Sequence, residues 1–540
     1  MIIIEKSYNL ITQNIYNNDK IIYINKFYIP ENIVRYNEIK YCLNKNYNNK
    51  YIDKIYLLNE KIYTDEELGI NDINKIIQIN INKRIEYSDI FIFVNNNNIK
   101  GYIIFSNSDI YLDDSINILH YSLLSSEKLM ISLLRYEDKN IIFGPRPDSN
   151  DTWIFHSNYT INNNRLNGLK FKLGINGCDN KYNYICKILG YNIINCPNKI
   201  KSYHVHKSNI RNNQNERIEP PYLFIEPLDN ISIINNFKSE TYYFSKYNFN
   251  DNYILKKYIE NKINNNSNFI IPRIAGIENN FAYIGYLIKN KEFNSNIINI
   301  INYINNNIIT MKNNAGISLL NYNDIINYSN LYLDAFNNCE YFTNWEPSGN
   351  VYPHISDSHN FIMDKYNNKN TIWARTFDIF NYINLNPWTL ALKNKRILLI
   401  SSFIDSIQNK LNIREKIYDI DLFPGCTFIL LKGPCTNETN EFSIELNLFI
   451  EEIKNVIDNF DIALVSCGGY GNLICNEIYK LGKSSIYIGG VLQMYFGIYG
   501  NRWITENESI LDLYLNEHWS RPFENEKSND YKNIDNYCYL

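Results

Sequence analysis

Along the first 210 or so positions, unbroken apolar runs alternate with stretches of helical spacing, which predicts strands and helices by turns. Residues 21–29 read as a buried strand closed by Pro30. Residues 31–46 follow with Ile33, Tyr36, Ile39 and Leu43 at helical intervals. Strands are expected at 54–58, 75–81 and 101–105. Segment 89–94 is apolar enough for a strand, although its place before the next strand favours a helix. Runs 130–136 and 140–143 continue the pattern, and 179–189 reads as a helix. Such alternation belongs to an α/β domain.

Regularity fades over 212–250, where Asn and the pair Pro220-Pro221 accumulate. A helix is expected at 251–262, a strand at 269–271, and mostly helix through 316–380, with loops at Trp345-Glu346-Pro347 and Val351-Tyr352-Pro353. From Lys395 alternation returns, with strands at 396–401, 427–431, 461–466 and 484–488 and helices near 406–418, 444–459 and 472–481. These apolar runs are unbroken, as in a parallel sheet covered on both faces. The fold expected is α/β throughout, ending in a Rossmann-like, doubly wound sheet. With 540 residues, one core is too small a container. The expected division is a domain at 1–225, a linker at 226–250 and a domain at 251–540 with a helical portion at 316–380.

Composition narrows the function class. Net charge is −4 with Lys and Arg scattered, whereas a nucleic-acid partner calls for a basic face; none is expected. The excess of Asn, Ile, Lys and Tyr follows AT-rich codons, so Asn tracts such as 95–98 and 264–266 carry little meaning. Ten cysteines lie singly, without zinc or disulfide spacing, and read as reduced thiols. Met1-Ile2-Ile3-Ile4 is broken by Glu5 and Lys6, too short for a signal peptide. No run reaches the roughly 18 apolar residues of a membrane span. A soluble, cytoplasmic protein is expected, with no transmembrane segment.

In the first half, Phe105-Ser106-Asn107-Ser108-Asp109 brings a polar turn to the end of a strand, where open α/β sheets bind ligands. Asp109 is placed either to hold a divalent cation or to cap a helix. Asp179, in Gly177-Cys178-Asp179-Asn180, reads as a general base or as an N-cap. His204 and His206 share one face of a strand, open to ligation or simply paired at the surface. Asp151 and Trp153 lie in a third polar region, after Gly144-Pro145-Arg146-Pro147-Asp148; Trp153 either stacks on a sugar or covers the core.

Taken together, segments 27–60, 107–113, 151–155, 177–180 and 204–211 occur in the order seen in GT-A-type glycosyltransferase-like proteins. They look like those of large DNA viruses with AT-rich genomes, so host cytoplasm or virion is the implied location. The resemblance spans residues 20–225. It implies a nucleotide-sugar donor, a glycan or glycoprotein acceptor, and a cation, Mn²⁺ or Mg²⁺. Asp109, with Asn107 beside it, would bind metal and diphosphate. Asp179 would be the base, and His204 or His206 would complete the metal site. Asn107-Ser108-Asp109 departs from a full Asp-x-Asp.

In the second half, Gly468-Gly469-Tyr470-Gly471 ends one strand and Gly489-Gly490 the next, with Gln493 and Arg502 close behind. Glycines there either admit a phosphate to the backbone or allow tight αβ packing. The spacing is not G-x-G-x-x-G, and no acidic residue ends the 484–488 strand, which argues against a dinucleotide oxidoreductase. The landmarks Pro387-Trp388, Gly482-Lys483, Gly489-Gly490 and 496–503 resemble a domain of bacterial polysaccharide-biosynthesis-type proteins. More distantly the region is similar to GT-D glycosyltransferases. That likeness implies roles near the nucleotide-sugar for Arg273 and Glu278, the latter catalytic; an ion pair between them is the plainer alternative. The function expected is sugar transfer by one or both domains, the alternative being a non-catalytic sugar-nucleotide or glycan-binding module in one of them.

Overall fold

The apolar run after Lys20 forms β1 (Ile21–Asn25), buried along its whole length. It is shorter than the apolar pattern, because side chains at its end take over the backbone: Asn25 Oδ1 accepts from Lys26 N and Asn59 Oδ1 from Phe27 N. Asn32 then caps α1 (Ile33–Asn48), its side chain accepting from Arg35 N. In this computed structural model residues 16–70, 74–137, 141–208, 216–227, 241–243, 249–292, 297–345, 355–434, 441–506 and 508–526 are described. Most of the expected linker, the N-terminal Met-Ile run, 209–211 and the turns at 346–347 and 351–353 lie outside them. By its contacts the chain divides into two compact units, Met1–Ser245 and Lys246–Leu540.

The first unit continues with β2 (Lys54–Asn59), β3 (Ile76–Asn80), α2 (Tyr87–Asn96), β4 (Tyr102–Ser106), β5 (Leu129–Leu133), β6 (Thr152–His156), α3 (Cys178–Ile188) and β7 (Asn192–Ile194). The seven strands make one sheet in the order β7-β5-β6-β4-β1-β2-β3. All run parallel except β6, which is antiparallel to both neighbours. The 89–94 segment is helical, as part of α2, with Glu86 and Asp89 closing a capping box at its start.

β6 corrects the reading of 151–153 as a polar loop. Thr152 to His156 sit in the middle of the sheet and are buried throughout. Trp153 has no exposed surface; it stacks on Phe105 with centroids 5.2 Å apart and meets Tyr87 edge-on. Its ring belongs to the core, and a sugar has no access to it. A five-residue strand between polar loops leaves too little periodicity to betray it.

The second unit carries a five-stranded, all-parallel sheet of β8 (Ile270–Ile271), β9 (Arg396–Ser401), β10 (Thr427–Lys432), β11 (Ile462–Ser466) and β12 (Ser484–Tyr487). Its order is β8-β12-β11-β9-β10. Ile397 and Leu399 on one face and Leu398 and Ile400 on the other are all fully buried, so both faces are covered and the sheet is doubly wound. Five of its helices are α4 (Phe249–Asn264), α5 (Ile277–Asn290), α6 (Ile297–Ala315), α7 (Tyr322–Asn337) and α8 (Ile355–Lys365). The last three of them and α5 form a layer whose Phe281, Met311, Tyr332 and Ile362 share one core with Ile400 and Val465 of the sheet. The stretch 316–380 is helical over most of its described residues. It holds a parallel pair of strands, Tyr341–Asn344 with Asn370–Trp373, as well as α7 and α8. Among the described residues no helix is long and apolar enough to cross a membrane.

Truncating a buried aromatic ring of this kind costs about 3–5 kcal/mol. Trp153→Ala is expected to destabilise the protein by that amount in urea unfolding followed by circular dichroism. A cost under about 1 kcal/mol would place the ring outside the core.

Candidate functional site

Strand order in the first unit reverses between β1 and β4, since the chain winds β1-β2-β3 one way and then returns to β1's other side. Such a switch opens a crevice beyond the carboxyl ends of the strands. Asn107 and Asp109 follow β4 there. Asp151 precedes β6, and because β6 runs backwards its start lies on this same edge. Ile110–Leu112 pairs antiparallel with Ser202–His204, in a register that sets His204 opposite Ile110. Val205 N then donates to the Asp109 carbonyl at 2.9 Å. Alternation carries His206 to the same face, and the two imidazoles stack with centroids 5.4 Å apart.

Asp109 is the centre of this edge. It is buried and its Oδ2 meets Arg35 Nη2 at 2.5 Å and His204 Nε2 at 3.1 Å. Burial alone would raise its pKa, but hydrogen bonding and charge from His204 and Arg35 outweigh that and hold the carboxyl well below the usual range. His204 is shifted the other way: burial disfavours its cation, yet Asp109 outweighs burial and raises its pKa. His206 is lowered, by burial and by the neighbouring Arg35 and His204 charges. His204 Nδ1 also meets Glu137 Oε2 at 3.1 Å. Glu137 in turn accepts from Arg135 Nε at 2.8 Å, and Arg135 Nη1 reaches Asp151 Oδ2 at 2.6 Å. Asn107 Nδ2 donates to the other Asp151 oxygen at 2.7 Å. A continuous chain of charges of alternating sign therefore runs from Asp151 to Arg35, with the Asn107 amide at its end.

Asp179 stands in the first turn of α3, whose N-cap is Gly177 and not Asp179. Its Oδ2 accepts from Asn150 N at 3.0 Å. Burial pushes its pKa up to about 7, opposed by that amide and assisted by the Asp151 charge. A carboxylate poised near neutrality suits a general base.

Asp109, His204 and His206 offer one oxygen and two nitrogens, all within 4.8 Å of one another. His206 Nε2 is buried without a hydrogen-bond partner among the described residues. A mixed carboxylate–imidazole set fits a divalent cation. At present the position beside Asp109 is taken by the Arg35 guanidinium, which also reaches His206 Nδ1 at 2.8 Å.

Arg35, Arg135 and Glu137 escaped the sequence reading. Arg35 did carry a signal: a cation in the first turn of a helix opposes the helix dipole, so its place there implies a nearby anion. Arg135 and Glu137 gave none, being ordinary charges after a strand.

In the second unit the glycines back onto protein. A side-chain carbon added at Gly468 would lie 2.6 Å from the Ala315 carbonyl oxygen, and one at Gly469 would lie 2.5 Å from Ile317 Cγ1. At Gly471 it would strike the Tyr487 ring, and at Gly489 the Arg273 guanidinium. Four of the residues read as phosphate-binding thus serve close packing of α6, β12 and Arg273. The strand order reverses between β9 and β11, one strand away from the expected crevice. Gly490 opens the turn Gly490–Phe496, within which Gln493 is buried. Arg273 Nη1 donates to the Ile488 carbonyl at 3.1 Å, and Asn472 pairs with its backbone N–H and C=O. Arg502 lies near the buried Asp378 together with Arg273 and Arg375. Glu278 lies in the first turn of α5.

No protein-family model and no curated protein sequence matches the chain. Among solved structures, the chain is similar to a mannosyltransferase from Pyrobaculum calidifontis, determined with GDP-mannose and Mn²⁺. That similarity has a TM-score of 0.26 at 9% identity and covers 38% of this chain and 62% of the other.

A cation entering at Asp109 has to displace Arg35 and strip the His204 proton. Mn²⁺ affinity, read by electron paramagnetic resonance, is expected to tighten about tenfold per pH unit while His204 is protonated. Because the His204 pKa is raised, that slope should extend above its ordinary value of 6.5. An unchanged slope in His204→Gln would remove His204 from the ligand set.

Proposed function

We propose that this chain is a glycosyltransferase, moving a sugar from a nucleotide-sugar to a hydroxyl of a glycan or glycoprotein, and that the first unit does the chemistry. The observation that carries the reading is the meeting of Asn107, Asp109, Asp151, Asp179, His204 and His206 along one carboxyl edge, at the strand-order switch. The resemblance of these segments to GT-A-type proteins supports it. In this reading Asp109, His204 and His206 hold Mn²⁺ or Mg²⁺. When bound, such an ion neutralises the charge that develops on a leaving diphosphate. Asp179 accepts the proton of the acceptor hydroxyl, which its position near neutrality allows. The Arg135–Glu137 pair orients His204 and Asp151, so the polar edge is preorganised before a ligand arrives.

A second reading concerns the second unit alone, as a non-catalytic sugar-nucleotide or glycan-binding module. The glycines packed against Ala315, Ile317, Tyr487 and Arg273 count against a second transferase built on those loops.

The test is sugar release and transfer from a panel of nucleotide-sugars. Asp179→Asn is expected to lower kcat by about 10²–10⁴-fold. The base works deprotonated, so wild-type kcat/KM should rise with pH through a midpoint near 7 and then level. Asp179→Asn with wild-type turnover would remove Asp179 from the chemistry, and absence of transfer from every donor would overturn the reading.

A further inference from the structure

Two cations at the switch crevice lie outside the hydrogen-bonded network around Asp109. Lys26 follows β1 directly, and its backbone is pinned at both ends: the N–H donates to Asn25 Oδ1 at 2.8 Å and the carbonyl accepts from Ser108 Oγ at 3.1 Å. The residue is thereby held against the Asn107-Ser108-Asp109 turn. Its ammonium lies over the Tyr28 ring, 5.1 Å from the centroid, and makes no hydrogen bond or ion pair among the described residues. Arg84 reaches the same place from the segment that follows β3. Its Nη2 donates to the Leu173 carbonyl at 2.8 Å, while its Nε is buried without a partner among the described residues.

Gly174 shows how the two sides face. A side-chain carbon there would stand 3.6 Å from Arg84 Nη2 and 3.9 Å from Asn107 Oδ1. The exposed glycine leaves open a space bordered by Arg84 and by the turn that Lys26 supports. Burial and the Arg84 charge together lower the Lys26 pKa to about 8, with Glu60 and Asp109 opposing. Asp109 is already engaged by Arg35 and His204, which leaves Glu60 as the other offset. Two partly buried cations repelling each other are unfavourable unless an anion joins them.

We infer that Lys26 and Arg84 form a binding site for a diphosphate group, at the crevice between the ends of β1 and β4, that works without a divalent cation. The chemistry suits that ligand. A guanidinium with a free Nε supplies a directed donor to a phosphate oxygen, and an ammonium supplies a point charge. Two cations on separate elements match two linked phosphates better than one carboxylate. The inference deepens the transferase reading by naming what holds the donor's diphosphate, but the anion site does not require that transfer occur.

The test is isothermal titration calorimetry of the full chain with inorganic pyrophosphate, and separately with UDP and GDP, in EDTA and then in Mn²⁺. Wild type is expected to bind pyrophosphate in EDTA. Lys26→Met and Arg84→Met should each weaken it about tenfold, the loss expected for one charged hydrogen bond. Arg84→Lys, which keeps the charge, should recover part of the loss, while a merely structural defect would not be rescued. Thermal melts matching wild type establish that each variant is folded. Absence of pyrophosphate binding to wild type in EDTA, or wild-type affinity in both Met variants, overturns the site. Binding that depends on Lys26 and Arg84, without sugar transfer from any donor, keeps the site and discards the transferase reading. Transfer with unaltered affinity in the variants does the reverse.

Discussion

A buried carboxylate must be compensated where it lies, and Asp109 is compensated from two directions that the chain brings together from far apart. An unpaired ionised carboxyl in such surroundings costs several kcal/mol. Arg35 comes from the first turn of α1 and His204 from a short strand paired antiparallel with Ile110–Leu112. Each partner is then itself constrained. Arg35 also holds Glu38, which accepts the backbone N–H groups of Lys207 and Ser208, so the strand carrying the histidines is tied to α1. His204 is held by Glu137, and through Arg135 the network reaches Asp151 and Asn107. Positions of nearly every polar group on the edge therefore follow from neutralising one charge.

The two sheets use the same architectural device with different results. Both wind outward, reverse, and so part their loops at a switch. In the first unit the loops after the strands carry charged and amide side chains, and among the described residues Arg84 Nε and the Lys26 ammonium have no hydrogen-bond partner. In the second, the loops after β11 and β12 end in glycines whose absent side chains make room for a helix terminus, a tyrosine ring and an arginine. Removing a side chain admits whatever approaches most closely, and there the nearest neighbours are the protein's own Ala315 carbonyl and the Ile317, Tyr487 and Arg273 side chains. The cluster of Arg273, Arg375 and Arg502 around the buried Asp378 is where that unit gathers charge, and Gly489 leaves the room that the Arg273 guanidinium fills.

Much of the edge was legible from residue order. Asn107 and Asp109 stood out because they follow an apolar run, Asp179 because it opens a helix after Gly177, and His204 and His206 because alternation sets both on one face of a strand. Arg35, Arg84, Arg135, Glu137 and Lys26 did not, because a single charged residue in a loop or first turn has no period and no neighbour in sequence to mark it. Trp153 shows the converse error. Beside Asp151 it looked like loop, yet it sits at the centre of the sheet because β6 is inserted between β4 and β5 against the direction of both.

What the sequence determined by itself is local: unbroken apolar runs for parallel strands buried on both faces, helical spacing for the layers over them, and polar turns at strand ends. These depend on residues within a few positions of one another, and on the fixed repeats of strand and helix. The tertiary structure decided which strand lies beside which, and hence where the switch falls and what meets there. Arg35 reaches Asp109 across 74 residues and His204 reaches it across 95. No pattern within either segment encodes such a meeting. It is fixed by burying the sheet and by the need to leave no charge alone inside it.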